Sequence, residues 1–239
     1  MKTSTILILT TVLVILGFLV AFNFKMKKEY DYELGKGQYK FMEFTPLKGI
    51  EKINFKLADG SRVKIVQGTK EGMWVNKRVR DNVTFKMAGH TLSLSLSHEH
   101  THTQFSSWNG DIVITTRTLN ALDAHAYYSD PAQFKTNIDG TCFVEVDGHQ
   151  SGQFDLKIGE YVNATLDHMQ IDTLKANIGE ISKKAELTLL SGVKANAAQI
   201  NIPGNGRLNL YNPKIVKTSY NLSDAAIVAV NGKVVKMIK

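Results

Sequence analysis

The chain has one cysteine, Cys142, in 239 residues. An intramolecular disulfide and any cysteine-pair metal site are therefore excluded. Its neighbours Phe143, Val144 and Val146 mark the thiol as a small buried hydrophobe. Catalytic signatures are few as well: there is no G-x-S-x-G and no phosphate-binding loop. No cofactor motif is present. Charge is missing from Thr3 to Phe24, and no window after Phe24 has a convincing helical period.

The formal charge is +7, but four lysines and one glutamate flank the uncharged segment, which leaves 25 basic against 21 acidic residues. That small excess is spread along the chain rather than gathered in a patch, so a nucleic-acid partner is not expected.

Ile6 to Phe22 is apolar apart from two threonines and a glycine. As a helix, the uncharged stretch rises about 30 Å, the thickness of a bilayer core. A cleavable signal peptide has a shorter apolar region closed by small residues, whereas Phe22, Asn23 and Phe24 follow here. No cysteine closes the run, so lipid modification there is excluded. Residues 1–24 therefore read as an uncleaved transmembrane anchor, 25–40 as a polar juxtamembrane linker and 41–239 as the folded domain. Lys25, Lys27 and Lys28 outnumber Lys2 and the α-amine, which by itself favours a cytoplasmic domain.

After the linker the period becomes two. Ile53, Phe55 and Leu57 alternate with polar residues, as do Val63 and Ile65, Val83, Phe85 and Met87, and Leu92, Leu94 and Leu96. Such short alternating runs, separated by Gly, Asp and Asn, are half-buried strands. Further on, residue identity recurs. Phe134-Lys135-Thr136-Asn137-Ile138 returns as Phe154-Asp155-Leu156-Lys157-Ile158, as Leu174-Lys175-Ala176-Asn177-Ile178 and as Val193-Lys194-Ala195-Asn196-Ala197. A period near 20 residues predicts an all-β fold, a single-stranded parallel β-helix in which each strand pairs with its counterpart one coil away. Phe134, Phe154, Leu174 and Val193 should then form one interior column. A β-sandwich is the competing architecture.

The run from Asp111-Ile112-Val113-Ile114 through Leu119 and Leu122, followed by these repeats, resembles the autotransporter-adhesin head-GIN domain family. The likeness covers roughly Met42 to the C-terminus. It implies an N-terminal signal or anchor, a β-rich first part, a β-helix and an extracytoplasmic position, against the lysine count. Two departures stand out: Thr118 occupies a place where proline often precedes the leucine, and the family's Ser-Gly pair, kept at Ser191-Gly192, is not kept in every repeat. By analogy the resemblance implies adhesion; it carries no catalytic or binding residue.

Three constellations could carry chemistry. His98, His100 and His102 would share one face of an extended segment and could ligate zinc or copper, although Leu92, Leu94 and Leu96 have the same parity. Lys135, Lys175 and Lys194, interrupted by Asp155, would form an outward row able to meet an anionic ligand such as an acidic glycan. Glu160 and Glu180, 20 residues apart, would sit one coil apart at a glycosidase-like separation. However, Trp74 and Trp108 lie far upstream, and Tyr127 and Tyr128 are the nearest paired aromatics. The expected function is therefore non-enzymatic: a membrane-tethered domain that presents a side face to a surface glycan or an envelope protein. A polysaccharide-cleaving enzyme and a histidine-rich metal module are the alternatives.

Overall fold

A computed structural model describes residues 3–35, 37–57, 60–96, 112–126, 141–179 and 184–231. The chain is mostly strand, with one apolar helix at its N-terminus, and it divides into two compact units, Met1–Met42 and Glu43–Lys239.

In the first unit, α1 (Thr3–Gly35) is a single helix of 33 residues. Its apolar side chains are exposed along the whole run from Ile6 to Phe24. The hydroxyls of Thr10 and Thr11 donate to the carbonyls of Ile6 and Leu7, each at 2.9 Å, so neither polar group is left over within the apolar stretch. The helix continues through most of the segment expected as a linker. Lys, Glu, Met and Leu there are good helix formers and no proline intervenes. Gly35 ends it, and Gly37 follows with φ 57°.

The second unit alternates between two sheets. The first contains β1 (Met42–Pro46), β3 (Arg62–Gln67), β4 (Gly72–Asn76), β7 (Ile112–Thr116), β9 (Cys142–Asp147), β11 (Val162–Asp167), β13 (Ala185–Leu189), β15 (Gly206–Leu210) and β17 (Ile227–Val230). The second contains β2 (Lys52–Leu57), β5 (Val83–Ala88), β6 (Thr91–Leu96), β8 (Ala121–Ala126), β10 (Gln150–Ile158), β12 (Gln170–Ile178), β14 (Lys194–Ile202) and β16 (Lys214–Leu222). Among the described residues the strand orders are β1-β4-β7-β3-β9-β11-β13-β15-β17 and β16-β14-β12-β10-β8-β2-β6-β5.

From β9 onward the chain takes its strands in turn from the two sheets, and every pairing is parallel. Parallel pairing alone does not describe the whole unit. β4 runs antiparallel to β7 and β5 antiparallel to β6, so both sheets are mixed, and neither closes on itself. The first half belongs to the same two sheets, because β3 pairs with β9 and β8 with β10. Its strands are interleaved: β2 lies between β6 and β8, and β3 between β7 and β9.

The core follows from this register. In the nine-stranded sheet Ile114, Ile65, Val146, Leu166, Leu189 and Leu210 succeed one another strand by strand, all buried. In the other sheet Leu92, Ile53, Leu122, Leu156, Ala176 and Ile200 do the same. The long strands β10, β12 and β14 break their alternation once: Gly152-Gln153, Asp172-Thr173 and Asn196-Ala197 are successive residues that both turn away from the core. Cys142 is buried, as expected.

Phe154 lies over Leu174, as the repeat predicts. Val193 does not join them, since Leu174 pairs with Ala198. Instead Val193 takes the corner position also held by His149, Met169 and Pro213, each immediately before a paired strand start: Gln150, Gln170, Lys194 and Lys214. Phe134 lies outside the described residues.

Candidate functional site

The outer face of the eight-stranded sheet is built by the same alternation that builds the core. Residues between the buried positions of β10, β12 and β14 point outward, and parallel pairing sets them, with their partners on β16, in straight rows. One row runs Lys157, Asn177, Asn201 and Asn221, and continues on the other side of Lys157 through Asp123 and Asn54. The neighbouring row runs Ala121, Asp155, Lys175, Gln199 and Ser219. Together they line an open groove of about 590 Å³.

Within the first row the amides are bonded to each other. Asn201 Nδ2 donates to Asn177 Oδ1 at 2.8 Å, and Asn221 Nδ2 donates to Asn201 Oδ1 at 2.7 Å. Such a ladder forms only where identical side chains recur in parallel register. In the second row Asp155 accepts from Gln153 Nε2 at 2.9 Å on both carboxylate oxygens. Farther along, His125 Nε2 lies 2.7 Å from Asp123 Oδ1.

Across the bend a second depression, about 640 Å³, is lined by Gln150, Gln170, Lys194 and Lys214, with Asn196 Nδ2 donating to Asp172 at 3.0 Å. Lys175 and Lys194 therefore stand in different rows on opposite sides of the bend, and Lys194 has Gln170 and Lys214 as its neighbours. Lys135, His98, His100, His102 and Glu180 lie outside the described residues. Glu160 sits in the turn between β10 and β11. Among the described residues no group of three His, Cys, Asp or Glu side chains is placed to hold a metal ion.

Two histidines at the corner after the nine-stranded sheet escaped the sequence reading. His149 is buried with both ring nitrogens unpartnered among the described residues. Burial lowers its pKa from 6.5 to about 4, against the opposing charge of Asp147. His168, one coil on and exposed, has φ 48°. Its Nδ1 lies 2.9 Å from Asp147 Oδ1 and 3.4 Å from Asp167 Oδ2. The hydrogen bond to Asp147 raises its pKa above 6.5, and the Asp167 charge adds to the effect. Gly148 marks the corresponding corner with φ 82°, and the return of Asp147-x-x-Gln150 as Asp167-x-x-Gln170 after 20 residues is the signal that could have located both.

No family model matches the chain, and no curated protein matches it. Among solved structures it is similar to a "putative adhesin" from Bacteroides fragilis at 14% identity, covering 80% of this chain and 96% of that one with a TM-score of 0.48. It is also similar to a "putative lipid binding protein" from Parabacteroides distasonis, at 12% identity over 78% and 95% of the two chains and a TM-score of 0.34.

Proposed function

We propose that this is a non-enzymatic binding protein: α1 crosses a membrane once, and the β unit stands on the extracytoplasmic side and meets a surface glycan or an envelope protein through the outer face of its eight-stranded sheet. The observation that carries the reading is the continuous pair of outward polar rows above the open groove. Within this reading Cys142–Val230 is a single-stranded parallel β-helix. Each coil contributes one strand to either sheet, and the antiparallel strands β4 and β5 belong to the opposite end of the stack. The anchor is supported by the uncovered apolar side chains of α1 and by its internally satisfied threonines.

Binding of the full chain in detergent to a glycan array and to purified envelope fractions tests the ligand side. A Lys157→Glu variant should weaken whatever binds. Absence of binding to both, or binding indifferent to the variant, would overturn the proposed face. Protease added outside intact cells should cleave the β unit while sparing α1; protection there, with cleavage only in inverted vesicles, would reverse the topology.

A further inference from the structure

We infer that the ligand of this face is an uncharged, hydroxyl-rich polymer, a neutral polysaccharide chain lying across the strands along the Asn177–Asn201–Asn221 row. The inference rests on the binding role proposed above and adds the chemistry of what is bound.

Charge is the first argument. The groove is lined by two carboxylates, Asp123 and Asp155, and two ammonium groups, Lys157 and Lys175. They neighbour one another in the rows, with Asp123 and Lys157 side by side and Asp155 beside Lys175. With the signs balanced, an acidic polymer meets as much repulsion as attraction. The remaining polar lining, Asn54, Asn177, Asn201, Asn221, Gln199 and Ser219, is neutral.

Hydrogen-bond valence is the second. Asn201 uses one N–H on Asn177 and one lone pair on Asn221, which leaves it a second N–H and a second lone pair. A sugar hydroxyl both donates and accepts, so it can satisfy the two together. A carboxylate or phosphate only accepts and an ammonium only donates; either would leave part of the ladder unmet as water is displaced.

Periodicity is the third. Successive strands present the same amide again after about 4.8 Å. A ligand that repeats along one direction meets each copy in turn, and a pyranose ring spans a comparable length. The ladder also fixes the amide rotamers before the ligand arrives, which lowers the ordering cost of binding. No aromatic ring lines this groove among the described residues, so recognition works through hydrogen bonds and gains its strength from the number of units engaged.

The test uses the full chain in detergent, titrated calorimetrically with gluco- and manno-oligosaccharides from the monosaccharide to the octasaccharide, and in parallel with polygalacturonate. In at least one neutral series Kd should fall with each added unit up to about four, the number of long strands beneath the groove, and then level off. That affinity should be nearly independent of salt. Asn201→Leu, which keeps the volume and breaks the ladder, should raise Kd roughly tenfold. The circular dichroism and denaturation midpoint of this variant are measured alongside. Asn163→Ala, on the outer face of the other sheet, should leave Kd unchanged. Failure of every neutral series to bind, tighter binding of polygalacturonate that fades with salt, or affinity independent of chain length would overturn the inference. If Asn201→Leu abolishes binding of an acidic polymer or a protein instead, the ligand class falls and the face stands. If all observed binding survives the variant, both fall.

Discussion

At the corner His149 occupies the position that Met169 and Val193 hold in the following coils. An imidazole there has no partner among the described residues for either nitrogen, so it is carried as the neutral form. Its pKa of about 4 lies below the unfolded value of 6.5, and between those values the unfolded chain binds the extra proton. Stability is therefore lost as pH falls from about 6.5 towards 4, by roughly 3 kcal/mol for this one group. His168 works in the opposite sense: its raised pKa gives stability that is present below 6.5 and lost as pH rises through the raised value. Because His168 is exposed, His149 dominates the slope. Replacing His149 with Met, the residue of the next coil, should flatten the fall of the urea midpoint between pH 6.5 and pH 4 by about one proton. An unchanged pH slope would show that the imidazole is protonated in the fold.

The strands meet closely at some corners, and glycine is required where backbone approaches backbone. A Cβ on Gly206 would lie 2.7 Å from the carbonyl oxygen of Ile178 and 2.7 Å from Ile202 Cγ2. A Cβ on Gly159 would instead meet the half-exposed His125 ring, a side chain that can shift at the cost of its contact with Asp123. Gly206→Ala should therefore cost on the order of 2 kcal/mol in thermal or urea denaturation, and Gly159→Ala clearly less. Equal losses would count against the backbone explanation.

Much of this level was legible in the sequence. Alternation located β2, β3, β5 and β6, and the return of Phe154–Ile158 as Leu174–Ile178 gave the correct 20-residue step. The next step misled, because Lys194-Ala195-Asn196 copies the identity of Lys175-Ala176-Asn177 but is the structural counterpart of Gln170-Ile171-Asp172. Outward-inward-outward polarity is the same in both, so parity could not separate them. The better match was Ala176-Asn177-Ile178 with Ile200-Asn201-Ile202, and it carries the Asn ladder. The interleaving of β2 and β3 had no local signature, since it is decided by pairings between residues far apart in sequence.

Across the whole β unit the apolar columns are buried through the middle and open at the last coil. Tyr220 and Leu222 follow Ile200 and Ile202 in these columns yet remain 38% and 43% exposed. β16 and β17 each have a single neighbour among the described residues. Native-state hydrogen exchange should therefore show a gradient, slowest in β9 to β12 and fastest in β16 and β17. Uniform protection would show that the last coil is as tightly held as the centre.

The coil that breaks the 20-residue step also shows what the stack tolerates. Three residues separate Ile158 from Val162, whereas six separate Ile178 from Ala185, and the pairings on both sides keep their alignment. Lengthening this stretch by a further six residues should change the unfolding free energy by only about 0.6 kcal/mol, the loop-closure cost of doubling a segment's length. A larger loss would mean that the connection itself is under tension. The position is thus a natural graft point, where an epitope, a fluorophore tag or a protease site could be spliced into the protein while its strands keep their pairing.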